Sequence, residues 1–135
     1  MASLTEQQLA FLDENPFVGV VTDARPDGSL HSTVVWVDVV GGNVGFNTAV
    51  GRAKERYLRA NPRISLTVVD PADTYKWVTV SGRAEFVEEG ADAQIDKLAK
   101  KYMGAERYPF RKETETRIGV RIVPEHVDSR GFEAG

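Results

Sequence analysis

Five basic side chains, Arg52, Lys54, Arg56, Arg59 and Arg63, lie in the stretch FNTAVGRAKERYLRANPRISL, just after the polar pair Asn47 and Thr48. A sixth, Lys76, opens a later apolar segment. The chain around them is acidic, with a formal net charge of -3 and a pI near 5.4, so the cluster needs a local explanation. A strand end that runs through small residues into a helix N-terminus exposes free backbone N–H groups beside fixed cations, which is how proteins hold a phosphate or a carboxylate. Arg52 and Lys54 fall in the first helical turn, where cations oppose the helix dipole; a bound anion would remove that penalty. Arg56 and Arg59 read equally well as solvated helix charges. Asn47 and Thr48 either add neutral donors or only form the turn.

Other reactive chemistry is scarce. There is no cysteine, so disulfides, thiolate metal sites and a cysteine nucleophile are excluded. His31 and His126 are far apart and lack ligand spacing, and metal binding is not expected. The acidic balance gives no support to nucleic-acid or anionic-membrane binding. The N-terminus MASLTEQQLAF has neither the basic start nor the apolar run of a signal peptide, and no segment has the apolar length of a membrane span, so a soluble, cytoplasmic protein is expected. With 135 residues, 41% of them hydrophobic, the chain can bury one core, and a single domain over 1–135 is expected, with no repeat or linker.

The elements that must position the cluster read as follows. SLTE at Ser3–Glu6 has the form of a capping box, followed by a short helix ending near Asn15 and Pro16. Phe17–Thr22 and Leu30–Val40 read as strands of a hairpin across the turn residues Pro26, Asp27 and Gly28; Gly41 and Gly42 turn the chain into a third strand, Asn43–Thr48, giving an antiparallel meander. Gly51–Ala60 is a helix stopped by Asn61 and Pro62. Arg63–Asp70 alternates, with Ile64, Leu66 and Val68 on one face; Lys76–Glu88 alternates with Val78, Val80, Ala84 and Phe86 together. Ala91–Met103 is a helix with Ile95, Leu98, Ala99 and Tyr102 at helical spacing, and TRIGVRIVP closes the fold with Ile118, Val120 and Ile122 inward. Six strands with two or three short helices make a mainly β, α+β domain and suggest an antiparallel barrel.

Three strings, FNTAVGRAKERYLRANPRISLTVVDP, YKWVTVSGRAEFV and GADAQIDKLAKKYMGAERYPFR, resemble the flavin and deazaflavin oxidoreductases of the split β-barrel, pyridoxamine-phosphate-oxidase-like superfamily, and within it the coenzyme F420-dependent branch. The similarity runs from about Phe17 to Pro124, and in the first string only Tyr57 departs from the usual polar residue. The resemblance implies a homodimer of split barrels with two cofactors in clefts across the interface. The cofactor phosphate would sit against Thr48, Gly51, Arg52, Ala53 and Lys54, with Arg52 and Lys54 as direct contacts. The ring would lie along Val34, Val35 and Trp36, and Lys76 and Trp77 would approach from the second subunit. A deazaflavin carries a phosphodiester and an oligoglutamate tail, which Arg56, Arg59 and Lys76 could attract.

The function so implied is hydride transfer from reduced coenzyme F420 to a small conjugated or quinone-like acceptor. FMN is the alternative cofactor, and a carrier without turnover the alternative function. No catalytic residue is evident: Tyr75, Tyr108 and His31 are candidates for protonating the acceptor, each with a plain structural role as its alternative. Arg111 could bind cofactor or substrate, and Trp36 and Trp77 could wall the cleft or simply pack. Trp77, Thr79 and Ser81 leave an outer strand face in need of cover, a second argument for a dimer.

Overall fold

The computed structural model describes residues 2–132. Helix α1 (Glu6–Glu14) does begin with a capping box, but on Thr5 and Gln8, two residues after the expected Ser3 and Glu6. The Gln8 N–H donates to Thr5 Oγ1 at 3.1 Å, and the Thr5 N–H donates to Gln8 Oε1 at 2.9 Å. The sequence fits the box in both registers. Hydrophobic burial selects the later one, which turns Phe11 and Leu12 into the core and lets Leu4, before the cap, and Leu9 pack on the same cluster.

Seven strands follow: β1 (Gly19–Ala24), β2 (Leu30–Val35), β3 (Asp38–Val40), β4 (Asn43–Ala49), β5 (Arg63–Asp70), β6 (Asp73–Val87) and β7 (Arg117–Arg130). Helix α2 (Ala53–Ala60) lies between β4 and β5, and α3 (Ala91–Met103) between β6 and β7. All strand pairs are antiparallel, in the order β2-β1-β5-β6-β7-β4-β3. The expected meander is therefore wrong, and so is the single strand Leu30–Val40. The two hairpins stand at opposite edges of the sheet.

That order forces closure. The edge strands β2 and β3 are separated in the chain only by Trp36 and Val37. In a flat sheet they would stand about 29 Å apart, six spacings of about 4.8 Å. Three peptide steps reach at most about 11 Å. The sheet must curl until its edges meet, and the result is a split antiparallel barrel. Inside it lie Val21, Leu66, Val68, Val78, Val80, Val44, Phe46, Val120 and Ile122, with Leu58 from α2 and Phe11 and Leu12 from α1 packed on the same cluster. A register shift between Ser81 and Gly82 bends β6 against β7; a Cβ at Gly82 would collide with the Val123 carbonyl.

The corner at Trp36 and Val37 has left both edges, and side chains of α3 satisfy its backbone. Tyr102 Oη accepts from the Val37 N–H at 2.9 Å and donates to the Phe17 carbonyl at 2.7 Å. Lys101 Nζ donates to the Val37 carbonyl at 2.9 Å and to that of Leu12 at 2.7 Å. Trp36 then stacks on Tyr102, ring centroids 5.4 Å apart and nearly parallel. A residue that looked like mid-strand is thus turned to the mouth of a cleft.

Candidate functional site

The cleft, about 200 Å³, forms where the ends of β2 and β4, the start of α2, the middle of α3 and the segment between α3 and β7 converge. It gathers seven of the predicted residues, Val34, Val35, Trp36, Asn47, Thr48, Arg52 and Lys54. Five more line it: Ile95 and Leu98 from α3, Tyr108, Phe110, and Arg117 at the start of β7.

One end is built for an anion. Gly51, at φ +92°, takes the left-handed turn that glycine favours, so α2 begins at Ala53, two residues after the expected start. Its N-cap, Arg52, supplies no side-chain cap. The first helical bond runs from the Arg56 N–H to the Arg52 carbonyl, which leaves the amides of Ala53, Lys54 and Glu55 without an intrahelical acceptor. Glu55 reaches back to the Gly51 N–H at 2.9 Å and takes Arg59 Nε at 2.7 Å; these bonds, that to Gly51 foremost, hold its carboxyl below the usual range. Thr48 is 1% exposed, and its hydroxyl is buried without a partner. A buried hydroxyl left unmatched costs about 1–3 kcal/mol, a cost that a ligand oxygen reaching it would offset.

Three cations line the same cleft. Lys54 Nζ donates to Thr33 Oγ1 at 2.8 Å; burial pushes its ammonium below the ordinary value, and the Asp23 carboxylate offsets part of that shift. Arg117, its side chain only 4% exposed, donates through Nε to Asn47 Oδ1 at 2.8 Å and lies over the Tyr108 ring at 5.2 Å. Arg52 and Arg117 share one carboxylate, that of Glu115, at 2.7 and 2.8 Å. The other end of the cleft is flat and aromatic. Tyr108 meets Trp36 edge-on at 6.1 Å and Phe110 at 5.7 Å.

The other predicted residues, and the bonds of Asn47, show what the cleft does not use. Asn47 lines the cleft, but its amide donors are committed to the Ala91 carbonyl and to Gln94 Oε1, both at 2.9 Å, so it positions α3 and Arg117. Gly51 and Ala53 flank the cradle. Arg56 is exposed beside it, donating to the Gly51 carbonyl at 3.2 Å. Arg111 pairs with Asp92 and Asp96, outside the lining. Lys76 stands over the rings of Phe132 and Phe11 in a separate trough, and Trp77 pairs with Arg130 in the β6–β7 ladder. Of the three candidate proton donors only Tyr108 reaches the cleft; Tyr75 is 70% exposed, and His31 Nδ1 is bonded to the buried Asp23 at 2.8 Å. Sequence reading missed Arg117 and Glu115. The signal was an arginine at the first position of the strand, just ahead of the inward row Ile118, Val120 and Ile122.

A cavity of about 250 Å³ near the N-terminus of α3 is lined by Asp38, Gln94 and glycines of β4 and β7 and holds none of the predicted residues. Among the described residues there is no group of three or more potential metal ligands, and no helix is long and apolar enough to cross a membrane.

The profile of the pyridoxamine 5'-phosphate oxidase family matches residues 4–131, nearly the whole chain. The chain belongs to that family. Among solved structures, one described as an F420 reductase is 26% identical, with 88% of this chain and 94% of the other covered and a TM-score of 0.77. A conserved hypothetical protein from Mycobacterium tuberculosis is 24% identical, with coverages of 98% and 92% and a TM-score of 0.76. An FAD-binding protein from Mesorhizobium loti is 23% identical, with 96% of each chain covered and a TM-score of 0.67. A comparison with curated proteins gives no match. This pyridoxamine 5'-phosphate oxidase family member thus shares its split-barrel fold with a structure described as an F420 reductase and with an FAD-binding protein. Its cleft suits such a ligand: the orphaned Thr48 hydroxyl, the free α2 amides and the cations fit a phosphate, and Trp36 and Tyr108 fit a flat ring.

Proposed function

We propose that the protein is a coenzyme F420-dependent reductase of a small conjugated or quinone-like acceptor, working as a homodimer. The observation that carries this reading is that one cleft is lined by Thr48 with its unmet hydroxyl, by the cations Arg52, Lys54 and Arg117, and by the rings of Trp36 and Tyr108. The similarity to a structure described as an F420 reductase supports the choice of cofactor. When bound and reduced, the deazaflavin supplies a hydride from C5.

The chain's own part is binding and orientation. Lys54, Arg52 and the α2 amides hold the phosphate, and Thr48 donates to it. Val34 and Val35 end the edge strand β2 and Trp36 follows them, so backbone groups not shared with β1 remain to meet the polar rim of a ring. Tyr108 and Phe110 exclude water from the ring's outer side. Val34, 63% exposed, belongs both to the cleft and to an outward row that continues through Val20, Thr67 and Thr79. A second protomer covering that row would complete the cleft, and Lys76 and Trp77 are proposed to act from there.

FMN is the second reading. The cradle suffices for a monophosphate, and two cations assigned to an oligoglutamate tail are engaged elsewhere in the protomer: Arg59 with Glu55 and Phe86, Lys76 with Phe11 and Phe132. Fluorescence titration of the purified protein with both cofactors separates the two. Tighter binding of FMN would overturn the deazaflavin assignment. Reduced F420 that binds but is not reoxidised by any of a panel of quinones and enones would make the protein a carrier.

A further inference from the structure

Glu115 does something the cofactor reading does not need. Its carboxylate takes one N–H from each of the two cleft arginines, Arg52 Nη2 to Oε2 and Arg117 Nη1 to Oε1. Its backbone cannot move away: the Val50 N–H donates to the Thr116 carbonyl at 2.8 Å, and the Glu115 N–H to that of Lys112 at 3.1 Å. The side chain alone is free to leave. Arg117 keeps its place without Glu115, through Asn47 and the Tyr108 ring, whereas Arg52, with a half-exposed side chain, has no other side-chain partner among the described residues.

We propose that Glu115 is a built-in competitor for the anion site, an internal ligand that occupies the arginine N–H groups a bound phosphate would use and so lowers the affinity of the cleft for anions. A phosphate drawn to Arg52 and Arg117 meets a carboxylate already seated between them, and like charges at that range in a half-buried site repel strongly. The anion must displace the side chain, whereas a neutral ligand does not use these N–H groups and binds with Glu115 in place. Arg117 and Arg52 also hold the Glu115 carboxyl below its usual range, so it stays charged at neutral pH. The opposite role, a carboxylate that pre-positions Arg52 for the cofactor, predicts the opposite effect on affinity.

This inference rests on reading the cleft as the seat of a phosphate-bearing cofactor, and the test keeps the two apart. Inorganic pyrophosphate, FMN, coenzyme F420 and riboflavin are titrated into the wild type, Glu115→Gln and Glu115→Asp. With the competing charge gone, Glu115→Gln should bind pyrophosphate and the phosphorylated cofactor about tenfold more tightly, with riboflavin unchanged. Glu115→Asp keeps the charge but reaches less far, and should fall between. Unchanged or weaker anion binding in both variants overturns the proposal, as does an equal gain for riboflavin. If pyrophosphate binding tightens while neither FMN nor F420 binds, the internal competitor stands and the cofactor reading falls. No anion binding by any of the three proteins overturns both.

Discussion

At the residue scale, Lys54 and Arg59 show that one basic cluster contains two kinds of cation. Lys54 is half-buried in the lining of the cleft, whereas Arg59 lies 4.0 Å over the Phe86 ring and pairs with Glu55 one turn back. Replacing Lys54 with Met removes a charge-assisted contact worth about 1.5–3 kcal/mol and should weaken binding of the phosphorylated cofactor roughly ten- to a hundredfold in a fluorescence titration. Its thermal stability without cofactor should hold or rise, because a buried ammonium is lost. The pH dependence has a definite sign. Burial sets the folded pKa of Lys54 below 10.5, so the unfolded chain binds more protons between the two values. The burden on folding is full at neutral pH and is relieved as pH rises from the folded value toward the ordinary one. Over the same window anion affinity should fall, and Lys54→Met should show neither change. Arg59→Ala should lose about 0.5–1 kcal/mol of stability by thermal denaturation, with at most a modest loss of affinity.

At the element scale the corner between β2 and β3 decides the site. Tyr102 and Lys101 hold both polar groups of Val37, and burial pushes the Tyr102 phenol further above its ordinary value, so it stays a neutral donor. Tyr102→Phe leaves the Val37 N–H and the Phe17 carbonyl unmet, and should cost about 1–3 kcal/mol in denaturant melts. It should also alter the near-ultraviolet circular dichroism of Trp36, which stacks on this ring. A normal spectrum with unchanged stability would show that the corner holds without the Tyr102 hydroxyl.

At the scale of the whole molecule, the outward row of Val34, Val20, Thr67 and Thr79 is small, weakly polar and continuous with the cleft. Val20 is 45% exposed in the isolated chain. An arginine in its place should leave the protomer folded, turn a dimer into a monomer by light scattering, and lower cofactor affinity with it. A Val20→Arg monomer that binds cofactor as tightly as the wild type would place the complete site within one protomer.

The sequence by itself determined the local elements. Alternation placed β5 and the inward residues of β6 and β7 correctly, helical spacing placed α3, and the small residues before Arg52 and Lys54 marked a helix start to within two residues, because periods of 2 and 3.6 and turn chemistry act over a few residues. Tertiary structure decided the rest. Thr5 rather than Ser3 caps α1 because of where Phe11 and Leu12 are buried, and the apparent strand Leu30–Val40 breaks because its halves belong to opposite edges of a closing sheet. Arg117 and Glu115 lie about 65 residues after Arg52 and reach it only through the β4–β7 ladder. No local pattern encodes such a meeting, since the partners of a buried charge are set by the closure of the barrel rather than by their neighbours in the chain.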